Sequence, residues 1–260
     1  MSPIKPTVAW WSFEQVGLSP AQLIESAAEI GYAGIEFSPR EHWPLIHEQG
    51  LTIVCVRGHD DISNGLNDPS HHDRIEREIL AKLELAGQWD VPSFVCFSGE
   101  RKGLEDEAGA VNTVECLRRV ARAAEDAGVL LALELLNSKV NHPDYQCDHT
   151  AWGVKVIEWV DSPAVKLLYD IYHMQIMEGD IIRTIQDNHQ HFGHYHLAGN
   201  PGRNDPDATQ EINYPPIFRA IEATGYTGYL GMEYTPKSDP VASLRAAYAL
   251  LRDQDLQLEL

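Results

Sequence analysis

The sequence predicts an α/β protein with one closed barrel of eight parallel strands, in which a helix follows each strand. Short apolar runs of strand length alternate with amphipathic helical stretches along the 260 residues, and the count reaches eight pairs. The runs are continuously apolar, which is typical of parallel strands that are buried on both faces. Eight such pairs indicate that the sheet closes on itself.

The strands are predicted from runs of β-branched, aromatic and aliphatic residues. The first four runs are 7–10, 34–37, 51–56 and 93–97. The last four runs share another property, because each ends at an acidic residue or a histidine. These ends are Glu134, Asp170, His196 and Glu233.

Helices are predicted between the strands from their start and stop signals. Ser19 and Pro20 supply an N-cap and a proline at the first helical position, and Gly31 ends the helical spacing that follows. The same reasoning predicts helices over 73–89, 110–127, 149–160, 179–188, 213–223 and 239–252. The longer βα loops are then 57–72, 98–106, 135–148 and 198–212, and we expect them over the barrel mouth.

Length and composition predict one domain over residues 1–260, because a chain with 43% hydrophobic residues buries one large core. We expect no signal peptide and no membrane span, since no apolar stretch is long enough for either.

The cysteines show no CxxC spacing and mostly lie in or beside apolar segments, so we expect reduced core residues in a cytoplasmic protein. They are Cys55, Cys96, Cys116 and Cys147.

The charge balance argues against nucleic acid as a partner. With 20 basic and 39 acidic residues, the net charge of −19 would repel a phosphate backbone. Most of this acidity belongs to a solvated surface that keeps the protein in solution. A minority of the carboxylates is expected to have another role.

The four strand ends predict a divalent-metal site. They are separated by 36, 26 and 37 residues, each close to one βα unit, so strands five to eight would aim one side chain apiece at a common point. Any single one of them could face solvent or a backbone partner. Three carboxylates buried together would repel one another by several kcal/mol unless a cation were bound. This donor set favours Mn²⁺ or Mg²⁺, with Co²⁺ or Zn²⁺ as substitutes.

Three segments carry a resemblance to a known family. The stretch 169–179, Tyr-Asp-Ile-Tyr-His-Met-Gln-Ile-Met-Glu-Gly, resembles a signature of the hydroxypyruvate isomerase family. The segments Asn200-Pro201-Gly202-Arg203 and Glu211-Ile212-Asn213-Tyr214 are similar to its Asn-Pro-x-Arg and Glu-Ile-Asn-Tyr motifs, and Glu134 followed by Asn137 resembles its Glu-Pro-Ile-Asn. The match is specific over about residues 130 to 236.

The resemblance implies a xylose isomerase-like TIM barrel, in a homodimer or a homotetramer. It also implies that Glu134 and Glu233 are catalytic as well as metal ligands, and that Asp170 binds the metal. His173 and Arg203 are implied to hold the substrate, and Glu211 is a further motif residue that we assign to substrate binding.

Two departures from the family pattern bear on the substrate. The third metal position is a glutamine in better-known members, whereas this chain has His196, as the ketose 3-epimerases do. The loop that begins Arg57-Gly58-His59-Asp60-Asp61 also differs from the family's in length and composition. We assign no role to Arg57 or His59.

The predicted reaction is an aldose–ketose isomerisation through a cis-enediolate, on hydroxypyruvate and tartronate semialdehyde or on a related 2-oxo-tetronate. The alternative is a ketose 3-epimerase that acts on an uncharged sugar. An apurinic endonuclease shares the barrel, but its basic DNA groove conflicts with the net charge. A non-catalytic sugar-binding module would not require two opposed glutamates on one metal.

Several side chains have a plain structural alternative. Arg203 could grip a substrate carboxylate with two parallel hydrogen bonds, or pair with Asp205 or Asp207 in its own loop. His173 could stabilise charge on a substrate oxygen, or merely be hydrogen-bonded in the barrel wall. Aromatic residues at 10, 11 and 13 could line the pocket but are more often core. The histidines at 71, 72 and 189 are interpreted as surface residues.

Overall fold

The computed structural model describes residues 2–14 and 16–253, and its eight strands form a closed parallel barrel in the order β1 to β8. The predicted fold class is therefore confirmed. The ends of the expected domain, residues 1 and 254–260, lie outside the described residues, as does residue 15. The strands are β1 (Lys5–Ala9), β2 (Gly34–Glu36), β3 (Thr52–Arg57), β4 (Ser93–Cys96), β5 (Leu130–Glu134), β6 (Val165–Asp170), β7 (Phe192–Leu197) and β8 (Tyr229–Met232).

Helices follow the strands along the chain. They are α1 (Trp10–Phe13), α2 (Pro20–Ile30), α3 (Trp43–Glu48), α4 (His72–Trp89), α5 (Asp106–Ala127), α6 (Thr150–Val160), α7 (Ile171–Met177), α8 (Ile181–Asn188), α9 (Tyr214–Ala223) and α10 (Pro240–Arg252). Among the described residues, no helix combines the length and the apolarity that crossing a membrane requires.

The predicted helix signals operate as expected at α2. Ser19 accepts a hydrogen bond from the backbone of Gln22, and the Gln22 side chain accepts one in return from the Ser19 backbone. This reciprocal cap satisfies two N–H groups that the first turn leaves without helical partners. At the other end Gly31 adopts a left-handed φ of 105°, a conformation that glycine enters without a steric penalty.

Short helices directly after strands are the main difference from the predicted elements. The sequence predicts no helix directly after Asp170, but the residues there form α7. Two further short helices, α1 and α3, were also missed. Each is 4 to 7 residues long, too short for an amphipathic period to stand out in the sequence.

The described chain divides into two compact units. The first comprises the described parts of 1–54, 180–189 and 195–260. Within it β1 pairs in parallel with β2 and with β8, and β8 also pairs with β7. Its core includes the fully buried side chains of Ile24, Ile35 and Phe218.

The second compact unit comprises residues 55–179 and 190–194. In this unit β4 pairs in parallel with the end of β3 and with β5, and β5 pairs with β6. Its core includes Phe94, Leu131 and Leu167, none of which is exposed. The expectation of one domain stays a prediction.

The four cysteines are free and buried, as expected for small core residues. Burial raises the pKa of the Cys96 thiol to about 12 and that of the Cys116 thiol to about 12, because a thiolate loses its hydration inside the protein. Neither of these thiols is therefore a nucleophile at neutral pH.

Two histidines that the sequence did not predict to be buried, His59 and His72, lie in the protein interior. The interpretation of His72 as a surface residue is wrong, since it has no exposed area and its Nε2 lies 2.9 Å from the carbonyl oxygen of Leu66. His59, which had no assigned role, is also fully buried, and its Nε2 accepts the backbone N–H of Phe97 at 3.0 Å. Both side chains therefore hold loop backbone inside the second unit.

Burial makes His59 a source of acid sensitivity. Loss of hydration, aided by the positive charge of Arg74, lowers the pKa of His59 from 6.5 to about 4. As the pH falls, His59 is thus protonated near pH 6.5 in the unfolded chain but only near pH 4 in the folded chain. The stabilisation is complete above pH 6.5 and is lost as the pH falls from there towards 4.

We therefore expect His59→Gln to flatten the pH dependence of stability. Between pH 7.5 and pH 5 the wild-type protein should lose about 2 kcal/mol of unfolding free energy through this residue, and the variant should not. Urea unfolding at the two pH values measures the difference. Replacement of the exposed His189 by Gln is the control and should keep the wild-type profile. Parallel pH profiles for wild type and His59→Gln would contradict the assignment.

Candidate active site

Buried acidic and histidine side chains lie at the carboxyl ends of the last four strands. Glu134 ends β5, Asp170 ends β6, His196 is the second-last residue of β7, and Glu233 follows β8 directly. Each is at most 5% exposed. The group is hard and oxygen-rich, which suits a divalent ion such as Mn²⁺ or Mg²⁺, so these residues could hold a metal.

In the first compact unit, His196 is held between two carboxylates. Its Nε2 lies 2.8 Å from Oε2 of Glu36, and its Nδ1 lies 3.2 Å from Oε2 of Glu233. Glu36 ends β2, is fully buried, and accepts a hydrogen bond from the hydroxyl of Thr7. The sequence reasoning did not single out Glu36, although a carboxylate inside an apolar strand was the available signal.

Glu233 has the most polar surroundings of the four residues. Trp11 donates its indole N–H to Oε1 at 2.9 Å, and Arg203 Nη2 lies 2.7 Å from Oε2. Burial alone would raise the pKa of the Glu233 carboxyl. Favourable charges and hydrogen bonds, among them the guanidinium of Arg203 and the indole N–H of Trp11, outweigh burial and hold this pKa below its ordinary value. Glu233 is therefore a carboxylate at neutral pH.

Arg203 forms an ion pair with Glu233, one of the two predicted catalytic residues. Its guanidinium is centred 4.9 Å from the indole ring of Trp11, an arrangement that adds cation–π attraction to the pairing with Glu233. Asp207, one of the two alternative partners in the loop, pairs with Lys237. Trp11, which the sequence ranked below the polar candidates, is a polar contact of the site.

In the second compact unit, Asp170 connects the end of β6 to α7. Its Oδ1 accepts the backbone N–H of His173 at 3.0 Å, which makes Asp170 the N-cap of the helix. The helix then places the His173 ring with Nε2 at 3.7 Å from Oδ2 of the same carboxylate. One strand end therefore positions both a candidate metal ligand and a candidate substrate contact.

The hydrogen bonds of His173 Nδ1 determine which ring nitrogen carries the hydrogen. Nδ1 accepts the backbone N–H of Asn137 at 3.0 Å, and the side-chain nitrogen of Asn137 lies 2.6 Å from it. Because a backbone N–H only donates, Nδ1 carries the lone pair and Nε2 carries the hydrogen. The buried His173 ring thus presents an N–H donor on the side nearest Asp170.

Glu211 differs from these buried residues in its exposure. It is exposed, its carboxylate accepts a hydrogen bond from Asn200, and its backbone N–H donates to the carbonyl oxygen of Asn200 at 2.8 Å. These contacts tie two of the motif segments together within one loop. The assignment of Glu211 to substrate binding stays a prediction.

The fold recurs in solved structures. A protein titled AP endonuclease, family 2, from Brucella melitensis superposes with a TM-score of 0.82 at 27% identity, covering 94% of this chain and 97% of that chain. D-Psicose 3-epimerase from Clostridium cellulolyticum H10 superposes with a TM-score of 0.79 at 23% identity, covering 99% of this chain and 100% of that chain. At this identity the likeness to the epimerase shows the fold alone.

A family model and two relatives of known name identify the family to which the chain belongs. Residues 24–254 match the family model described as xylose isomerase-like TIM barrel. Hydroxypyruvate isomerase of Escherichia coli (strain K12) is 32% identical over 85% of this chain and 90% of its own length. The 2-oxo-tetronate isomerase of Pectobacterium atrosepticum is 32% identical over 82% of this chain and 85% of its own length. The chain therefore belongs to the hydroxypyruvate isomerase family of xylose isomerase-like TIM barrels, and so to the isomerases of the intramolecular oxidoreductase class.

Proposed function

We propose that this protein is a metal-dependent isomerase of a short hydroxy-oxo acid. The substrate pair is hydroxypyruvate and tartronate semialdehyde, or a related 2-oxo-tetronate. The observation that carries the proposal is the buried group of Glu134, Asp170, His196 and Glu233. The names of the relatives in Escherichia coli and Pectobacterium atrosepticum support the substrate class.

The group of four residues is proposed to bind one divalent ion, Mn²⁺ or Mg²⁺ by preference and Co²⁺ or Zn²⁺ as substitutes. When bound, the ion would polarise the substrate carbonyl and acidify the neighbouring C–H. Three buried carboxylates supply the negative charge that such an ion neutralises.

Proton transfer is assigned to the two glutamates. For hydroxypyruvate, one of Glu134 and Glu233 removes a proton from C3, and the electron pair of that bond forms the double bond of a cis-enediolate. The other glutamate returns a proton at C2, while a hydroxyl proton passes from O3 to O2, which yields tartronate semialdehyde. The carboxylate character of Glu233 at neutral pH supports its use as a base.

His173 and Arg203 are proposed to hold the substrate. The Nε2–H of His173 donates a hydrogen bond to the oxygen on which negative charge develops, and the Asn137 backbone keeps the ring in the tautomer that can do so. The Arg203 guanidinium donates to Glu233, and its planar fork of N–H donors suits two parallel hydrogen bonds to a substrate carboxylate.

A ketose 3-epimerase remains the second candidate, and one feature favours it. The histidine at position 196 matches the epimerases rather than the better-known hydroxypyruvate isomerases. The chemistry differs only in where the proton returns, so the same two glutamates would serve. An endonuclease is disfavoured, because the net charge of −19 opposes DNA binding.

The cellular setting is proposed on the same terms. Four buried, free cysteines suit a reducing compartment, and we place the enzyme in the cytoplasm. The homodimer or homotetramer that the family resemblance implies is checked by light scattering.

Metal dependence should be visible as a change in thermal stability. We expect the melting temperature of metal-free protein to rise by several degrees when Mn²⁺ is added at about 100 times its dissociation constant, because binding to the folded state alone contributes about 2.7 kcal/mol. Differential scanning calorimetry after chelator treatment measures this shift. A melting temperature that neither chelator nor Mn²⁺ moves would contradict the metal site.

Glutamine replacements should separate proton transfer from metal binding. Glu134→Gln and Glu233→Gln each retain size and one oxygen ligand, so we expect turnover to fall at least about 100-fold while Mn²⁺ affinity falls less. The matched control is Glu48→Gln in α3, whose side chain is exposed. Steady-state kinetics with saturating Mn²⁺ make the comparison. An active Glu134→Gln variant would sink the proposed mechanism.

A substrate panel tests both the substrate class and Arg203. Hydroxypyruvate, 2-oxo-tetronate, erythrulose, ribulose, fructose and psicose are incubated with enzyme in deuterium oxide, and NMR reports the carbon that exchanges. We expect acid substrates to be preferred. Arg203→Lys should raise their KM at least about 10-fold, since a point charge replaces a bidentate fork, and should change neutral ketoses little.

The control for this panel is Arg245→Lys in α10, an exposed arginine. If Arg203→Lys reduced activity on neutral sugars as much as on hydroxypyruvate, the proposal that Arg203 binds the substrate carboxylate would be wrong. The ketose 3-epimerase would then be favoured. Exchange without net conversion still identifies the enolisable carbon.

A further inference from the structure

Glu36 is a fully buried carboxylate that the proposed reaction does not use. It ends β2, and within the first compact unit its two oxygens have different partners. Oε1 accepts the hydroxyl hydrogen of Thr7, and Oε2 lies 2.8 Å from Nε2 of His196. Burial of a carboxylate is unfavourable by several kcal/mol unless its partners compensate, so these two contacts are required for the residue to be tolerated there.

The two nitrogens of His196 are distinguished by their neighbours. Nε2 faces Glu36, while Nδ1 faces Oε2 of Glu233 at 3.2 Å. A hydrogen on Nε2 is donated to the Glu36 carboxylate, which leaves the lone pair of a neutral ring on Nδ1. That lone pair is then directed to the side of the ring where the candidate metal ligand Glu233 lies.

Gly231 shows that the arrangement is closely packed. A Cβ atom at this position of β8 would lie 2.7 Å from Cδ2 of His196 and 2.8 Å from Oε1 of Glu36. Ordinary contacts of this kind are not shorter than about 3.4 Å, so only glycine leaves room for both side chains. The ring and the carboxylate are therefore seated against the bare backbone of the same strand, which limits any rotation of the ring.

We propose that Glu36 is a positioning residue that fixes the tautomer and orientation of His196 for metal binding. The arrangement is a carboxylate–histidine–metal relay, in which the carboxylate also makes the imidazole a stronger donor. Glu36 acts through His196 and does not touch the substrate. This inference rests on the metal site of the proposed function. The competing explanation is that Glu36 is only a hydrogen-bonded core residue.

Mn²⁺ binding separates the two explanations. Metal-free wild type, Glu36→Gln and Glu36→Asp are titrated with Mn²⁺, and the electron paramagnetic resonance signal of free Mn²⁺ gives the dissociation constant. Glu36→Gln keeps the shape and removes the charge, whereas Glu36→Asp keeps the charge and withdraws it by one methylene. We expect both dissociation constants to rise about 10-fold to 100-fold, as for other outer-sphere partners of metal-ligating histidines. The exposed Glu25→Gln in α2 is the control.

Melting temperatures of the metal-free proteins report the structural contribution separately. Dissociation constants for both Glu36 variants within twofold of wild type would overturn the proposal and leave Glu36 as a core residue. Should Glu36→Gln not fold, Glu36→Asp decides by the same criterion. A wild-type protein that binds no Mn²⁺ would overturn the proposed metal site and, with it, this inference. A wild-type protein that binds Mn²⁺ beside Glu36 variants that bind it equally well would overturn this inference alone.

A second measurement reads the tautomer directly. In ¹⁵N-labelled wild type saturated with Mg²⁺, long-range proton–nitrogen NMR of the His196 ring should show the hydrogen on Nε2. A ring protonated on Nδ1 under these conditions would contradict the proposal, whatever the affinities are.

Discussion

Burial of negative charge at the carboxyl ends of the strands is the constraint on which the site depends. Glu36, Glu134, Asp170 and Glu233 are all at most 5% exposed, and buried carboxylates are tolerated only with compensating positive charge and hydrogen-bond donors. Part of the compensation comes from this chain, through Thr7, Trp11, Arg203 and the imidazole of His196. A divalent cation would supply the remainder, which is why the metal and the fold are linked in the proposed function.

The surroundings of Glu233 prepare it for a specific protonation state. Arg203 and Trp11 each donate a hydrogen bond to one of its two oxygens. The guanidinium of Arg203 also lies over the indole ring of Trp11. These contacts favour the carboxylate over the acid, so a proton taken up there is readily given back. The same arginine is the candidate anchor for an acidic substrate.

Hydrogen bonds orient both site histidines, one accepted by a ring from the backbone and the other donated by a ring to a buried carboxylate. The Asn137 N–H selects the tautomer of His173, and the Glu36 carboxylate faces one nitrogen of His196. Such contacts hold rings in place without any motion of the surrounding strands, which is the preorganisation that electrostatic catalysis requires. In the proposed mechanism the two histidines have different roles, His173 as a hydrogen-bond donor and His196 as a metal ligand.

The sequence alone determined the barrel, because continuous apolar runs alternating with capped helices leave few other ways to bury both faces of eight strands. It also identified the four strand-end residues, since parallel strands bring their carboxyl ends to one edge. Only the tertiary structure decided the partners of those residues. Glu36 and Trp11 are distant in sequence from the side chains they contact, and His72 is buried by loop packing that no local period encodes. Contacts between distant segments depend on strand register and side-chain direction, which a single sequence does not contain.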